Sequence, residues 1–391
     1  MPGRSPALTD RARIGLTLIA GGAVANIYYN QPLLAMLAAE FGPSAALWVP
    51  AACLSGYGLG IVGLVPLGDG LPRRSLIIGQ LLALSVALVG AALAPDLAVL
   101  ALASLFIGIL ASAAQQAVPF AAELAPDASR GRIVGQVMTG LLSGILLART
   151  ASGFVGAHLG WRAVFLAAAV VALGMAGIAA ATLPRTPTGK LRYGALMLSI
   201  LDLVRTQPVL RAASLSQALL FAAFNAFWAT LALLVEGEPF GLTAAGAGLF
   251  GVIGVAGALI APLSGQYTDR HGARPMVVAG AACVLAAFAV LWIAGGVSLV
   301  AIGAGVLLID IGINGALIAN QTRAYALVPG ARGRINTVLF TAMFAFGALG
   351  AFAGSQAFLL AGWPGVCAVG GALSAAALAV ALLDRSGRPV T

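Results

Sequence analysis

The sequence predicts an all-α membrane protein of twelve transmembrane helices, arranged as two six-helix bundles related as parallel repeats. Three observations carry this expectation. The chain of 391 residues is 61% hydrophobic and only 8% charged, with a mean hydropathy of +1.02, whereas soluble proteins carry about 25% charged residues. Its apolar residues form long continuous runs, which excludes a porin-like barrel built from short alternating strands. Short sequence anchors also recur in the same order about 200 residues apart.

Breaking the apolar runs at Gly, Pro and charged clusters predicts helices over 14–37, 45–67, 75–94, 97–121, 133–155 and 162–183. A second set follows over 212–235, 245–266, 275–294, 298–320, 335–360 and 364–383. Twelve spans of roughly 20 residues use about 240 residues. The start of the first span, with Arg4, Arg11, Arg13 and a stretch ending Ala23-Val24-Ala25, has the outline of a secretory signal. The apolar run continues to about Leu37 and further spans follow, so it reads as an uncleaved first helix. The expected division is a bundle over 1–184, a linker over 185–211 and a second bundle over 212–391. Within the linker, Leu196 to Val204 has the length of a short helix lying on the inner leaflet or packed on the bundle.

All but two of the 21 basic residues, Arg149 and Arg162, fall on one side if the N-terminus is cytoplasmic. The opposite loops carry Glu40, Asp96, Glu236 and Glu238. Lys and Arg are retained on the cytoplasmic side, so both termini and the linker are expected there. The net charge of +9 therefore reflects topology and a lipid bilayer as partner, with no nucleic acid.

Even-numbered repeats keep the same orientation. Asp69 with Arg74 matches Asp269 with Arg274, Arg130-Gly131-Arg132-Ile133 matches Arg332-Gly333-Arg334-Ile335, and Gly160-Trp161 matches Gly362-Trp363.

Enzyme and ATPase readings fail on the residues present. The sole lysine, Lys190, follows Gly189 but precedes Leu191, so no phosphate loop exists to bind ATP. Gly58 to Gly63 and Gly246 to Gly251 fit the dinucleotide spacing, but they lie in apolar spans without a preceding strand. Close helix packing through small residues accounts for them, and for the Gly56/Gly60 and Gly140/Gly144 pairs. Cys53, Cys283 and Cys367 lie within apolar runs, and His158 and His271 are far apart. No disulfide, metal site or cofactor is expected.

At this point the residues resemble a known family. Val65 to Arg74 (VPLGDGLPRR) and Gly265 to Arg274 (GQYTDRHGAR) look like the two copies of the major facilitator signature loop. The first copy departs from it at Gly70 and Pro72. Asn26 to Leu34, Gly140 to Arg149 and Leu308 to Arg323 are similar to a bacterial branch grouped with twelve-span drug and metabolite efflux antiporters. The resemblance implies the major facilitator fold, transport of a small molecule by a monomer, and a cytoplasmic gate at Asp69, Arg73, Arg74, Asp269, Arg270 and Arg274. It also implies that the first, fourth, seventh and tenth helices line a central cavity.

Polar residues recur in those four helices: Asn26, Tyr29 and Asn30; Gln115 and Gln116; Asn225 and Trp228; Asp310 and Asn314. These are the candidate substrate residues. Two intramembrane charges are the most informative, because each costs at least ~2.5 kcal/mol at a helix centre. Asp310 falls midway along the tenth span, about 18 Å from its outer end, and is the candidate for reversible protonation, with Asn314 four residues on. Arg149, roughly 9 Å inside the fifth span, has three roles open to it: pairing with Asp310, binding an anionic group, or snorkelling outward. The expected function is proton-coupled efflux of small, weakly polar organic compounds. A proton symporter or uniporter importing a metabolite is the alternative within the class, and a non-transporting receptor or scaffold is the alternative outside it.

Overall fold

Long apolar runs form helices because hydrocarbon offers backbone N–H and C=O groups no other partner. The computed structural model describes residues 9–126, 129–185, 193–259, 261–328 and 331–384, with side chains left undescribed at Asp69, Asp269 and some neighbours. Every described regular element is helical.

The N-terminal unit comprises α1 (Asp10–Ala25), α2 (Leu34–Phe41), α3 (Ala45–Gly63), α4 (Arg73–Ala92), α5 (Leu97–Ala111), α6 (Ala113–Leu124), α7 (Arg130–Leu159) and α8 (Trp161–Thr182). After α9 (Tyr193–Thr206) come α10 (Pro208–Glu236), α11 (Ala244–Leu259), α12 (Ala261–His271), α13 (Ala273–Val290), α14 (Leu299–Tyr325) and α15 (Arg332–Leu383). Among the described residues, nine helical stretches are long and apolar enough to cross a membrane. One is α15, which bends into two arms at Gly362 (φ 62°, ψ −153°). With the arms taken separately, and with the split pairs α1/α2 and α11/α12, the arrangement matches the twelve expected spans.

Two splits have local causes. Between α1 and α2 the backbone tightens to i→i−3 bonds, Asn26 to Ala23, Ile27 to Val24 and Tyr28 to Ala25, and then forms a 3₁₀ turn over Gln31–Leu33 that Pro32 opens. Between α5 and α6 the Ser112 hydroxyl donates to the Ile109 carbonyl (2.6 Å) and the Gln115 N–H bonds back only three residues. Pro119 has no N–H to give the Gln115 carbonyl one turn earlier. The expected single helices over 14–37 and 97–121 are thus each interrupted, and both interruptions sit beside the cavity described below.

The duplication is visible in the backbone. Gly160 (φ +83°) and Gly362 (φ +62°) occupy equivalent positions, where a left-handed turn requires a residue without Cβ. Trp161 and Trp363 follow them. Arg74 Nη2 donates to the Ala180 carbonyl at the end of α8 (2.6 Å), and Arg274 Nε donates to the Ala381 carbonyl at the end of α15 (3.2 Å). The signature loops themselves differ: Gly272 turns with φ +84° before α13, whereas Pro72 (φ −59°) precedes α4 behind a 3₁₀ turn over Val65–Asp69.

Small residues bring helices into backbone contact, as the sequence suggested. A Cβ at Gly56 would overlap the Leu105 carbonyl, and one at Gly144 would overlap Gly21. The units also meet at the end remote from α9. There Ser355 Oγ donates to the Ala46 carbonyl (2.9 Å), Thr150 Oγ1 donates to the Gly248 carbonyl (3.1 Å), and Trp48 meets Phe352 edge-on at 5.4 Å. A Cβ at Gly153 would overlap the Ala244 carbonyl. That end is closed.

Candidate functional site

Four broken or central helices, α1, α7, α10 and α14, converge with α3 and α15 on a cavity of about 260 Å³. Its walls are mostly aromatic and aliphatic, with Tyr28, Tyr57, Phe221, Phe224, Phe340 and Phe344 among them. Arg149 and Asp310 supply the two charges among the described lining residues. On α7, α14 and α15 the lining runs from Arg149 and Asp310 only toward the linker end, through Met138, Gln321 and Phe340. The cavity therefore extends from the middle of the bundle toward the side carrying α9, opposite the closed end.

Arg149 is 2% exposed, and its position is fixed on several sides. Nε donates to Gln31 Oε1 (2.7 Å). The guanidinium lies 4.0 Å from the Trp228 ring centroid, 4.6 Å from Tyr28 and 5.6 Å from Phe224. An aromatic box of this kind offsets part of the cost of burying a cation. Nη2 has no hydrogen-bond partner. The tightened turn that presents Gln31 also turns Tyr28 inward, because 3₁₀ bonding advances side chains by three residues per turn instead of 3.6.

Asp310 is 7% exposed, and its Oδ2 has no partner. Gly254 of α11 faces it: a Cβ there would stand 3.2 Å from Oδ2. Asp310 and Arg149 share the cavity but form no ion pair, so of the three roles left open for Arg149 neither pairing with Asp310 nor outward snorkelling describes this structure. Asn314 Nδ2 donates to the main-chain carbonyl of Asp310 (2.8 Å) and not to its carboxyl.

The other candidates divide. Gln115 lines the cavity and donates to Tyr57 Oη (3.1 Å). Its neighbour Gln116 points away, donating to the Leu64 carbonyl (2.8 Å) and accepting from Arg73 Nη1 (3.2 Å). Asn26 donates to the carbonyls of Gly22 and Ala23, and Asn225 to that of Phe221, each on its own helix. Such back-bonding occupies the amide N–H groups locally, while Asn26 Oδ1 and Asn225 Oδ1 have no hydrogen-bond partner. Tyr29 contributes its carbonyl to Ser152, and neither Tyr29 nor the buried Asn30 is among the lining residues. Trp228 is not among the lining residues and meets the cavity through Arg149 and through the Phe224 ring, 6.0 Å from its own.

Of the expected gate, the Asp69 and Asp269 side chains lie outside the described residues, as does Lys190. Arg73 bonds Glu123 Oε2 (3.2 Å) and Gln116 within its own unit. Arg74 and Arg274 cap helices of their own units, and Arg270 is exposed. The described bonds of Arg74 and Arg274 stay within their own units, in keeping with a cavity that reaches this end.

Sequence reasoning missed Tyr28, Tyr57, Gln217 and Gln321. Two had a readable signal: Asp310, Asn314, Leu317 and Gln321 form an i, i+4, i+7, i+11 stripe, and Gln217, Phe221 and Phe224 an i, i+4, i+7 stripe.

The Major Facilitator Superfamily model matches residues 16–351. The chain is 38% identical over 374 residues to a probable transporter of Streptomyces coelicolor, covering 92% of this chain and 85% of that protein. It is 36% identical over 373 residues to a putative uncharacterized transporter of Escherichia coli K12, YgaY, covering 95% and 93% respectively. A solved structure of the nucleoside transporter NupG superposes with a TM-score of 0.77 at 12% identity, over 95% of this chain and 99% of that one. With a family match running from the first span into the eleventh, this chain belongs to the Major Facilitator Superfamily and is a membrane transporter.

Proposed function

We propose that the protein is a proton-coupled exporter of small organic compounds with a large apolar surface, working by alternating access as a monomer in the bacterial inner membrane. The units over 1–184 and 212–391 rock about the cavity, joined by the linker over 185–211, with both termini cytoplasmic. Asp310 takes up and releases the coupling proton, and Arg149 sets the electrostatic environment in which it does so. Asp69, Arg73, Arg74, Asp269, Arg270 and Arg274 meet across the units in the opposite state, when the cytoplasmic side closes.

The carrying observation is the Asp310 carboxyl, buried with an unpartnered oxygen in a largely apolar cavity that reaches one end of the bundle. Burying a carboxylate without a partner is costly, so a group in this position must be hydrated, bound to substrate or protonated in turn. A proton-coupled cycle uses that alternation. Energy from ATP has no binding loop in the sequence.

The test is flux in proteoliposomes under an imposed pH gradient, screened over a compound library. Gradient-driven substrate movement that is lost in Asp310→Asn, with substrate exchange retained at saturating substrate, supports the reading. A fully coupled Asp310→Asn protein overturns it. Movement of substrate with protons in the same direction would favour import.

A further inference from the structure

We infer that the cavity is a binding site for small zwitterions: molecules with one carboxylate, one ammonium group and an aromatic or branched apolar body. This rests on the transport reading and names the substrate class of the same site.

The cavity holds one cationic group and one carboxyl group, each buried and each incompletely satisfied. Arg149 Nη2 and Asp310 Oδ2 both lack hydrogen-bond partners. They do not satisfy each other, although a direct ion pair is the ordinary way to bury two opposite charges. The structure keeps them apart by holding each from behind. Gln31 and the Trp228 ring fix the guanidinium, and the bare Cα of Gly254 leaves a recess for the carboxyl.

A ligand that meets this arrangement brings the reverse pair of charges. Its carboxylate accepts from the Arg149 guanidinium, whose planar donors suit two-oxygen anions. Its ammonium donates to Asp310. A ligand with only one charge satisfies one protein group and leaves the other desolvated and alone, which is the costly outcome. Discrimination by an unpaired buried partner is stronger than discrimination by pocket size. The rest of the ligand faces Phe221, Phe224, Phe344 and Tyr57, so it is apolar and preferably aromatic. The volume of about 260 Å³ lies just below the usual range for drug-sized ligands, roughly 300–1,000 Å³, and accommodates a ligand of amino-acid scale.

The experiment is equilibrium binding to the purified full chain in detergent at neutral pH without any gradient, read by calorimetry. The probes are three zwitterions of increasing charge separation (phenylalanine, 3-amino-3-phenylpropanoate and 4-aminomethylbenzoate), the anion 3-phenylpropanoate and the cation phenethylamine. At least one zwitterion should bind about 10- to 100-fold more tightly than both singly charged probes, the difference expected for one hydrogen bond to a charged group. Arg149→Gln should erase the advantage over phenethylamine, and Asp310→Asn the advantage over 3-phenylpropanoate. Retained binding of the remaining single-charge probe shows that each variant is folded.

Binding of no zwitterion at millimolar concentration, or equal binding of a singly charged probe, overturns the inference. So does an advantage that survives both substitutions. Zwitterion selectivity without pH-driven flux would overturn the proton-coupling proposal alone, whereas pH-driven flux without zwitterion selectivity would overturn this inference alone.

Discussion

Gly254 of α11 faces Asp310 of α14 so closely that a Cβ at 254 would stand 3.2 Å from Oδ2 and 3.5 Å from Cγ. A methyl group there obliges the carboxyl to shift by a few tenths of an ångström, while replacing a helical glycine by alanine favours the helix by about 1 kcal/mol. Gly254→Ala is therefore expected to keep or raise thermal stability while lowering transport several-fold. Gly303→Ala is the control, since its Cβ meets only Ile253 Cδ1 at 3.4 Å. Paired melting curves and flux measurements check this. Equal transport in both variants would show that the recess is not needed.

Ser355 Oγ reaches the Ala46 carbonyl at 2.9 Å across the two units. An Ala46→Cys/Ser355→Cys pair should cross-link under mild oxidation, hold the remote end closed and abolish net transport, with recovery on reduction. The native thiols give little background, because Cys53 and Cys367 are buried and Cys283 is half-buried. Undiminished net transport by fully cross-linked protein would contradict a cycle that opens this end.

Arg74 and Arg274 each bond the last carbonyls of a helix, Arg274 Nη2 also reaching the Leu382 carbonyl at 2.5 Å. A cation at a helix C-terminus typically contributes about 0.3–1 kcal/mol. Arg274→Ala should lower the melting temperature by a few degrees, and Arg274→Lys should restore only part because lysine lacks the planar fork. Thermal unfolding in detergent reads both.

Glu40 at the end of α2 joins the start of α8 through two bonds from Arg162 (2.6 and 2.9 Å) and one from Trp161 Nε1 (2.7 Å). The Arg162 guanidinium first, and the indole N–H second, hold the Glu40 carboxyl below the usual carboxylate range. A depressed carboxyl stabilises the fold at neutral pH and loses that contribution as pH falls through its lowered value. Glu40→Gln should therefore melt earlier than the parent at pH 7, and the difference should close under strong acid. Because the pair is exposed, the effect is modest and shrinks with salt.

The excess of basic residues on one set of loops predicts a cytoplasmic linker. Single cysteines at Lys190 and Glu236, probed with a membrane-impermeant maleimide in intact cells, should label only at Glu236. Labelling of both positions from the same side would sink the twelve-span topology.

The sequence by itself determined the helical class, the order of the apolar spans and the duplication, because these depend on local quantities. Hydrocarbon forces a continuous apolar run into a helix whatever it packs against, and the Gly-Trp and Arg-Gly-Arg anchors repeat without reference to folding. Asp310 and Arg149 were legible as cavity residues for the same reason: a charge inside an apolar run has few places to go. Tertiary structure alone decided which neighbours join them. The i→i−3 tightening after Ala25 brings Tyr28 into the cavity lining and leaves Tyr29 packed against the core outside it, a difference of one residue that no polarity pattern separates. Gln115 and Gln116 are chemically identical, yet one meets Tyr57 and the other Arg73 and the Leu64 carbonyl. Whether Arg149 pairs with Asp310 likewise depended on Gln31, Trp228 and Gly254, which come from three other helical segments and share no sequence signal with either charge. Side-chain direction at a broken helix and contact between distant segments are set by packing, and packing is not written in the local order of residues.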